Sequence, residues 1–272
     1  MRAELYKVEG AGNDFLLGIG EWADRLGGDA HLVRRLCDRR RGVGADGVIA
    51  LSALNAHSIQ LRYRNADGSV GAFCANAIRC AARAAVELLG LASRLTVETG
   101  WGTIPADVDG REVALTLPAP RAASVEPDIV TPEHLSDVRL TNIGVPHLVM
   151  ATSGVADLDL ATIGPPLRAH PALGPEGANV NFFEVAADGV IRMRTWERGV
   201  EGETLSCGSG MVAVALQVMA SRGLREAVVA PVSGDRLTVE ALGEPPDCPT
   251  RLTGPARIVA AIDVSAEFLA TS

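Results

Sequence analysis

Residues 196–213, WERGVEGETLSCGSGMVA, place one cysteine, Cys207, between a polar, glycine-rich loop and an apolar segment. Three small residues follow this cysteine, and residues 211–220 then have the apolar composition of a buried helix. The order predicts a thiol at a helix N-terminus, where free N–H groups and partial positive charge lower a thiol pKa and attract carboxylates. On this stretch alone, a buried structural cysteine is the competing interpretation.

A second stretch, residues 73–90 (FCANAIRCAARAAVELLG), repeats this order. Cys74 opens an alanine-rich segment that ends at Gly90, and Gly223 ends the segment after Cys207 at the same spacing. Glycine at such a position is typical of a helix C-cap. Alternating segments with polar turns precede both cysteines, and β-rich segments follow both glycines: 61–69, 191–203, 95–99 and 227–232. The pattern predicts two similar halves.

Two such halves that face each other would bring two helix N-termini and two thiols to one site. One thiolate can then remove a proton from one face of a carbon while the opposite thiol returns a proton to the other face, which inverts the stereocentre. The helix N-termini would stabilise the charge that develops beside an α-carboxylate. We therefore predict racemase or epimerase chemistry without a cofactor. We also expect that an oxidant joins Cys74 to Cys207 and abolishes activity.

Composition disfavours several other classes of function. The chain has 272 residues, a net charge of −8 and 47% hydrophobic residues, which predicts one large or two smaller domains and disfavours nucleic-acid binding. The first residues lack the apolar core of a signal peptide and no apolar run reaches membrane-spanning length, so we expect a soluble, cytoplasmic protein. Lys7, in the first strand, is the only lysine, which disfavours pyridoxal phosphate chemistry.

The five cysteines do not indicate a disulfide framework or a metal site. Their number is odd, they are scattered, and no histidine lies near Cys74 and Cys80 to complete a zinc site. Cys37 lies on the apolar face of a helix predicted over 29–40, which Asp29 would cap. Cys248 is predicted in a loop and receives no role.

Elsewhere the pattern indicates strands, a linker and loops. Strands are predicted at 3–9, 48–51 and 59–64, a Pro/Ala-rich linker at 115–133 and a Pro/Gly-rich loop at 157–177. Two polar residues have open interpretations. Asn13 fits an ordinary turn or a side chain that points into a site, and His147 fits a core histidine or a functional one.

In their order and spacing, seven motifs resemble the diaminopimelate epimerase family over nearly the whole chain. They are GAGNDF (10–15), GVGADG (42–47), NADGS (65–69), CANAIRC (74–80), GVPH (144–147), NVNF (179–182) and ERGVEGETLSCGSG (197–210). The resemblance implies interconversion of LL- and meso-2,6-diaminopimelate, on the route to lysine and peptidoglycan precursors, with no cofactor and no metal. It also implies a small-molecule substrate and a homodimer.

The implied fold is of the α/β (α+β) class, with two pseudo-symmetric domains. Each domain would be a β-barrel-like sheet around a central helix, and the active site would lie in the cleft between them. We expect the first domain to span residues 1–117 and to be joined by the last strand, at about 262–272. The second domain would span residues 118–261.

The resemblance also assigns roles to individual residues. Cys74 and Cys207 would be the two catalytic bases, and backbone N–H groups at Ala75, Asn76, Gly208 and Ser209 would hold the α-carboxylate. Arg198 would pair with the distal carboxylate of the substrate. The remaining implied positions line the site or assist proton movement: Asn13, Asn65, Asn179, Glu197 and His147.

Two departures from the family pattern bear on substrate fit. Ala75 stands where the family usually has glycine, so its methyl group would crowd a carboxylate held close to this backbone. Val145 stands where the family often has asparagine, so a hydrogen bond to the distal end would be lost or supplied by Asn142. The alternatives are a related two-cysteine racemase with another amino-acid substrate, and a non-catalytic binding protein on the same scaffold.

Overall fold

The computed structural model describes residues 5–71, 73–122 and 124–270. The strands are β1 (Leu5–Gly10), β2 (Asn13–Gly18), β3 (Gly47–Asn55), β4 (Ser58–Asn65), β5 (Arg94–Thr99), β6 (Gly102–Asp109), β7 (Glu112–Leu117), β8 (Leu135–Ile143), β9 (Val145–Thr152), β10 (Asn179–Val185), β11 (Ile191–Glu197), β12 (Gly202–Thr204), β13 (Glu226–Ala230), β14 (Leu237–Ala241), β15 (Thr250–Pro255) and β16 (Arg257–Ile262). The helices are α1 (Glu21–Gly28), α2 (Ala30–Cys37), α3 (Ala75–Leu89), α4 (Leu160–Arg168), α5 (Gly208–Arg222) and α6 (Ala266–Ala270). Short 3₁₀ turns occupy Val155–Asp157 and Pro171–Leu173.

The two halves of the chain pair their strands in the same way. In the first half, β1–β2 is antiparallel, β2–β3 parallel, β3–β4 antiparallel, β4–β5 parallel, and β5–β6 and β6–β7 antiparallel. In the second half, β8, β9, β10, β11, β13, β14 and β15 follow that same series of directions. The predicted α+β fold of two pseudo-symmetric halves is therefore confirmed.

The halves share one hydrogen-bonded sheet, joined where β7 pairs antiparallel with β15. The chain then returns to the first half, because β16 pairs antiparallel with β1. That returning strand covers Arg257–Ile262, whereas we expected it at about 262–272, and residues 266–270 form α6 instead. Residues 271 and 272 lie outside the described residues.

Each half wraps its strands around one buried helix. Helix α3 contacts all seven strands of its half and β16, while α5 contacts β8, β9, β10, β11, β13 and β14. Every residue of α5 from Gly208 to Met219 is buried, which suits a helix that is apolar all round. Both helices end at a glycine with left-handed backbone, Gly90 (φ 68°) and Gly223 (φ 66°), as the spacing predicted.

Three hydrophobic clusters form the core of the described residues. The largest runs through both halves and includes the inner faces of α3 and α5. A second lies under α1 and α2, and a third under α4.

Asp29 caps α2 by accepting hydrogen bonds from the backbone of His31 and Leu32, as predicted. Cys37, at the other end of α2, is buried.

The expected loop at 157–177 is wrong in part, because α4 forms inside it. Asp159 caps this helix through Thr162, and Leu160 and Leu167 are buried beneath it even though two prolines lie in the helix. Gly164 lets the helix approach Trp196, since a Cβ there would lie 2.6 Å from the indole ring. Burial of an apolar face therefore outweighs the helix-breaking composition.

The first strand and the linker lie close to their expected positions, although residues 115–117 of the expected linker belong to β7. The strand expected at 3–9 begins at Leu5 in the structure, and residues 3 and 4 lie outside the described ranges. Between β7 and β8, the described part of the expected linker forms only one isolated bridge, Val125 with Leu140. Across 5–71, 73–122 and 124–270, no helix has the length and apolarity needed to span a membrane.

Matched substitutions at the two helix ends test the repeat energetically. A Cβ at either Gly90 or Gly223 would meet nothing within 4 Å, so only backbone strain opposes a side chain there. We expect Gly90→Val and Gly223→Val each to lower the free energy of unfolding by about 1–2 kcal/mol, and Gly→Asn at the same positions to lower it much less. Urea unfolding measures this, and equal losses for Val and Asn would contradict it.

Candidate active site

Cys74 is the N-cap residue of α3 and lies among amide groups. Its Sγ accepts a hydrogen bond from the backbone N–H of Ala77 (3.5 Å) and lies 3.6 Å from Asn13 Oδ1 at the start of β2. Asn76, in the first turn of α3, donates through Nδ2 to the same Asn13 oxygen (3.3 Å). The thiol therefore touches both the helix N-terminus and the first hairpin of its half.

Cys207 is the N-cap residue of α5, as the opening stretch predicted. Its Sγ lies 3.7 Å from Ser209 Oγ, and the residue is 7% exposed. The residue before it, Ser206, accepts from Asn76 Nδ2 through both its carbonyl oxygen and its hydroxyl oxygen (3.4 Å each). A side chain of the first half therefore reaches the entry to the second cysteine.

The first residues of the two central helices pack directly against each other. A Cβ at Gly208 would lie 2.7 Å from Ala75 Cβ and 3.3 Å from Asn76 Oδ1. Because Ala75 is 2% exposed, its methyl group is enclosed in this contact between α3 and α5. The expected crowding at Ala75 is therefore directed at Gly208, where the absence of a side chain leaves room for the methyl group.

Burial dominates the electrostatics of both thiols. It raises the pKa of Cys74 to about 12, with the N–H of Ala77 acting in the opposite direction. Burial also raises the pKa of Cys207, and the nearby Glu197 carboxylate raises it further. The pKa of Glu197 is itself raised, chiefly by burial, although Thr204 Oγ1 donates to Oε2 at 2.7 Å. The negative charge of Glu197 also contributes to the raised pKa of both thiols.

Arg198 and Asn179 lie together at the end of β11 and the start of β10. Asn179 Oδ1 accepts from the backbone N–H of Arg198 (2.9 Å). The Arg198 guanidinium pairs with Glu176 at 2.9 Å, and the Glu176 side chain is 78% exposed. Arg198 is therefore held by its backbone, while its charged end has a solvent-exposed partner.

Asn65 and His147 have less direct relations to the thiols. Asn65 ends β4, where it pairs with Gly47 of β3. Its side-chain amide donates to Ser69 Oγ at 2.9 Å. His147 is fully buried, and its Nδ1 lies 3.2 Å from Asn181 Nδ2. Burial lowers the pKa of His147 to about 3, so the ring is neutral near pH 7. Its assisting role in proton movement stays a prediction.

Two further polar residues contact the site, although the sequence alone gives neither of them a role. Asp46, in the GVGADG motif, accepts from Asn13 Nδ2 at 2.7 Å. Asn181, in the NVNF motif, accepts from Thr195 Oγ1 (3.1 Å), and a Cβ at Gly210 would lie 2.3 Å from its Oδ1. The motifs pointed to both segments, but only the folded chain shows that Asp46 contacts Asn13 and that Asn181 is buried beside Gly210.

Exchange of the two small side chains tests the helix contact. We expect Gly208→Ala to lower the free energy of unfolding by about 1–3 kcal/mol, because the added methyl group overlaps that of Ala75. The double variant Ala75→Gly/Gly208→Ala should regain most of this loss, and Ala75→Gly alone serves as the control. Urea unfolding of the four proteins gives the coupling free energy. Strict additivity of the two substitutions would contradict direct packing of the helix N-termini.

A metal site needs a cluster of ligands such as His, Cys, Asp or Glu side chains. In the part of the chain that the structure describes, no group of three or more His, Cys, Asp or Glu side chains is arranged to hold one. All five cysteines, which fall within the described ranges, are free thiols.

Comparison with known structures supports the fold. A probable proline racemase from Agrobacterium radiobacter, with bound carbonate, superposes with a TM-score of 0.71 at 19% identity, over 96% of this chain and 92% of its own. A PhzF-family phenazine biosynthesis protein from Bacillus anthracis gives a TM-score of 0.75 at 13% identity, over 97% and 99% of the two chains. At these identities the likeness concerns the fold alone.

Sequence comparison gives the family. The model of the diaminopimelate epimerase family matches residues 5–117 and 139–259. Diaminopimelate epimerase of Methanothrix thermoacetophila is 35% identical over 98% of each chain, and that of Gemmatimonas aurantiaca is 35% identical over 81% of this chain and 80% of its own. The resemblance found in the motifs is thereby confirmed, and the chain belongs to the diaminopimelate epimerase family.

Proposed function

We propose that the protein is an isomerase that interconverts LL- and meso-2,6-diaminopimelate by proton transfer at the α-carbon. One observation carries this proposal: in a chain of this family, two cysteines cap two buried helices whose first residues pack against each other. Cys74 and Cys207 are the two bases. One thiolate removes the α-proton, the other thiol donates a proton to the opposite face, and the reverse reaction exchanges their roles.

The free N–H groups of the two helix N-termini hold the α-carboxylate. Ala75, Asn76, Gly208 and Ser209 occupy the first turns, where backbone N–H groups lack partners within the helix. Their partial positive charge stabilises the negative charge that spreads into the carboxylate as the proton leaves. No cofactor is required for this stabilisation.

Proton movement within the site is assigned to Glu197. Its charge acts on both thiols, and its raised pKa lets it accept and release a proton closer to neutral pH than an exposed glutamate. A buried thiol needs such an acceptor before it can act as a base, because burial disfavours the thiolate.

The distal end of the substrate is assigned to Arg198, with Asn13, Asn65 and Asn179 around it. A planar guanidinium suits a bidentate contact with a second carboxylate, and exposed Glu176 is a partner that a substrate carboxylate can displace.

Asn142 is assigned the hydrogen bond to the distal end of the substrate that is lost where Val145 replaces the family asparagine. Its Oδ1 is buried without a hydrogen-bond partner among the described residues, which supports this assignment.

We further propose a homodimer in the cytoplasm. Dimerisation and cytoplasmic location are both inferred from family membership. Light scattering of the purified protein tests whether it is a dimer. A mass of one chain at micromolar concentration would contradict a stable dimer.

Proton NMR in D₂O, with reductant and no added cofactor, tests the reaction. We expect the α-proton signal of LL-diaminopimelate to disappear while the meso isomer appears. Cys74→Ala and Cys207→Ala should each reduce the rate of epimerisation by at least about a thousandfold, because one face then has no acid or base. Cys248→Ala, at a loop cysteine outside the site, is the matched control.

Two outcomes separate the alternatives. Exchange on glutamate, aspartate or histidine, but not on diaminopimelate, would favour a related racemase with another substrate. Binding of diaminopimelate without any α-proton exchange would favour a non-catalytic binding protein. Full activity in either cysteine variant would remove that residue from the mechanism.

A further inference from the structure

A chain of two side-chain amides runs past Cys74 and connects a buried guanidinium to the solvent-exposed carboxylate of Asp46. Arg79, which is 0% exposed, donates through Nη2 to Asn76 Oδ1 at 2.8 Å. Asn76 Nδ2 donates to Asn13 Oδ1 at 3.3 Å, and Asn13 Nδ2 donates to Asp46 Oδ2 at 2.7 Å. Arg39 Nη2 donates to the other Asp46 oxygen at 2.6 Å.

The two ends fix the direction of every hydrogen bond in this chain. A guanidinium can only donate, so the Asn76 oxygen must face Arg79 and its NH₂ group must face Asn13. A carboxylate can only accept, so the Asn13 NH₂ group must face Asp46 and its oxygen must face Asn76 and Cys74. Both ends impose the same orientation on Asn13, and an amide flip there would break two hydrogen bonds at once.

This orientation presents an acceptor to Cys74. Asn13 Oδ1 has no proton to give, so at 3.6 Å it can accept from a Cys74 thiol but faces a thiolate with its negative end. Cys207 has a different kind of neighbour, because the Ser209 hydroxyl at 3.7 Å can donate to a thiolate. The two cysteines of the repeat are therefore not equivalent.

We propose that Asp46 is a positioning residue that acts through Asn13 to favour the thiol form of Cys74. The use of that proton in epimerisation rests on the proposed function, whereas the protonation preference of Cys74 does not. Asp46 touches no reacting atom, and its effect passes through the orientation of one amide.

Other groups act on the same thiol and stay unchanged in the test. Glu197 on β11, Tyr63 on β4 and the Cys207 thiol interact electrostatically with it, as do Arg79 and Cys80 on α3. The backbone N–H of Ala77 donates to Cys74 Sγ at 3.5 Å and acts in the opposite direction to Asn13, because it favours the thiolate. Asp14 belongs to the same ion cluster as Asp46, since both pair with Arg39 at 2.6 Å. Asp14 also pairs with Lys7 at 2.5 Å.

The rate of alkylation of Cys74 by iodoacetamide between pH 7 and 10 tests the proposal without any substrate. Cys74 is a half-buried residue that lines a cavity of about 210 Å³, through which the reagent reaches it. Trypsin cleaves after Arg79, which separates Cys74 from Cys80, and mass spectrometry then follows each thiol. Cys80 is buried, so its alkylation reports unfolding in the same sample.

The main variants are Asn13→Leu and Asp46→Asn. Leucine has nearly the shape of asparagine but no acceptor, so we expect Cys74 to react about tenfold faster at a given pH, since thiolate formation becomes easier. Asp46→Asn should accelerate the reaction by a smaller factor, about threefold. The effect is smaller because Arg79 and Asn76 still favour the original orientation of the Asn13 amide. Asp14→Asn removes one negative charge from the same cluster without touching the Asn13 amide, and it should leave the rate within about 1.5-fold of wild type.

Each outcome decides one step. A wild-type rate in Asn13→Leu would overturn Asn13 as the acceptor of the thiol proton. Equal rates in Asp46→Asn and Asp14→Asn would show a through-space charge effect and overturn the positioning role of Asp46. If Asn13→Leu exposes Cys80, Asn13→Ser replaces it, with the same direction of change expected. Failure of the epimerase assay would leave these alkylation results unaffected, so the two failures are distinguishable.

Discussion

The contact between Ala75 and Gly208 is the constraint on which the site depends. It brings the first turns of two helices together, so that both N-capping cysteines belong to one site. One position must lack a side chain for the other to carry a methyl group. An alanine is therefore compatible with the first half as long as the second half keeps glycine. The departure from the family motif is in this way accommodated by packing rather than by loss of the site.

The repeated strand order explains why the two helix N-termini meet. Each half places its helix after the fourth strand of the same pattern, and the β7–β15 pairing holds the halves in one sheet. Burial of both helices has an electrostatic consequence, because it raises the pKa of both thiols. The chemistry therefore depends on neighbours that supply or remove protons, and the two halves supply different ones. Asn13 faces Cys74 with an acceptor, whereas Ser209 gives Cys207 a hydroxyl.

Local signals in the sequence were sufficient for the parts of the fold that depend on one segment. The cysteine N-caps, the glycine ends of both helices and the Asp29 cap all follow from adjacent residues. Contacts between distant segments were not predictable in this way. The seam of β7 with β15 and the position of β16 depend on pairing across most of the chain. Helix α4 forms in a Pro/Gly-rich segment because Leu160 and Leu167 find an apolar surface, which composition does not show. Asp46 lay in a recognised motif, but its contact with Asn13 arises only from the folded loop.

Isotope distribution at early turnover measures most directly whether two thiols act on opposite faces of one carbon. The reaction is started in D₂O from LL-diaminopimelate and, separately, from the meso isomer, and both substrate and product are examined by mass spectrometry within the first few per cent of conversion. Two bases predict a product with one deuterium at the inverted carbon and a remaining substrate that still carries protium, in both directions. Deuterium at equal levels in recovered substrate and product, or protium retained in the product, would contradict a pair of thiols that act on opposite faces.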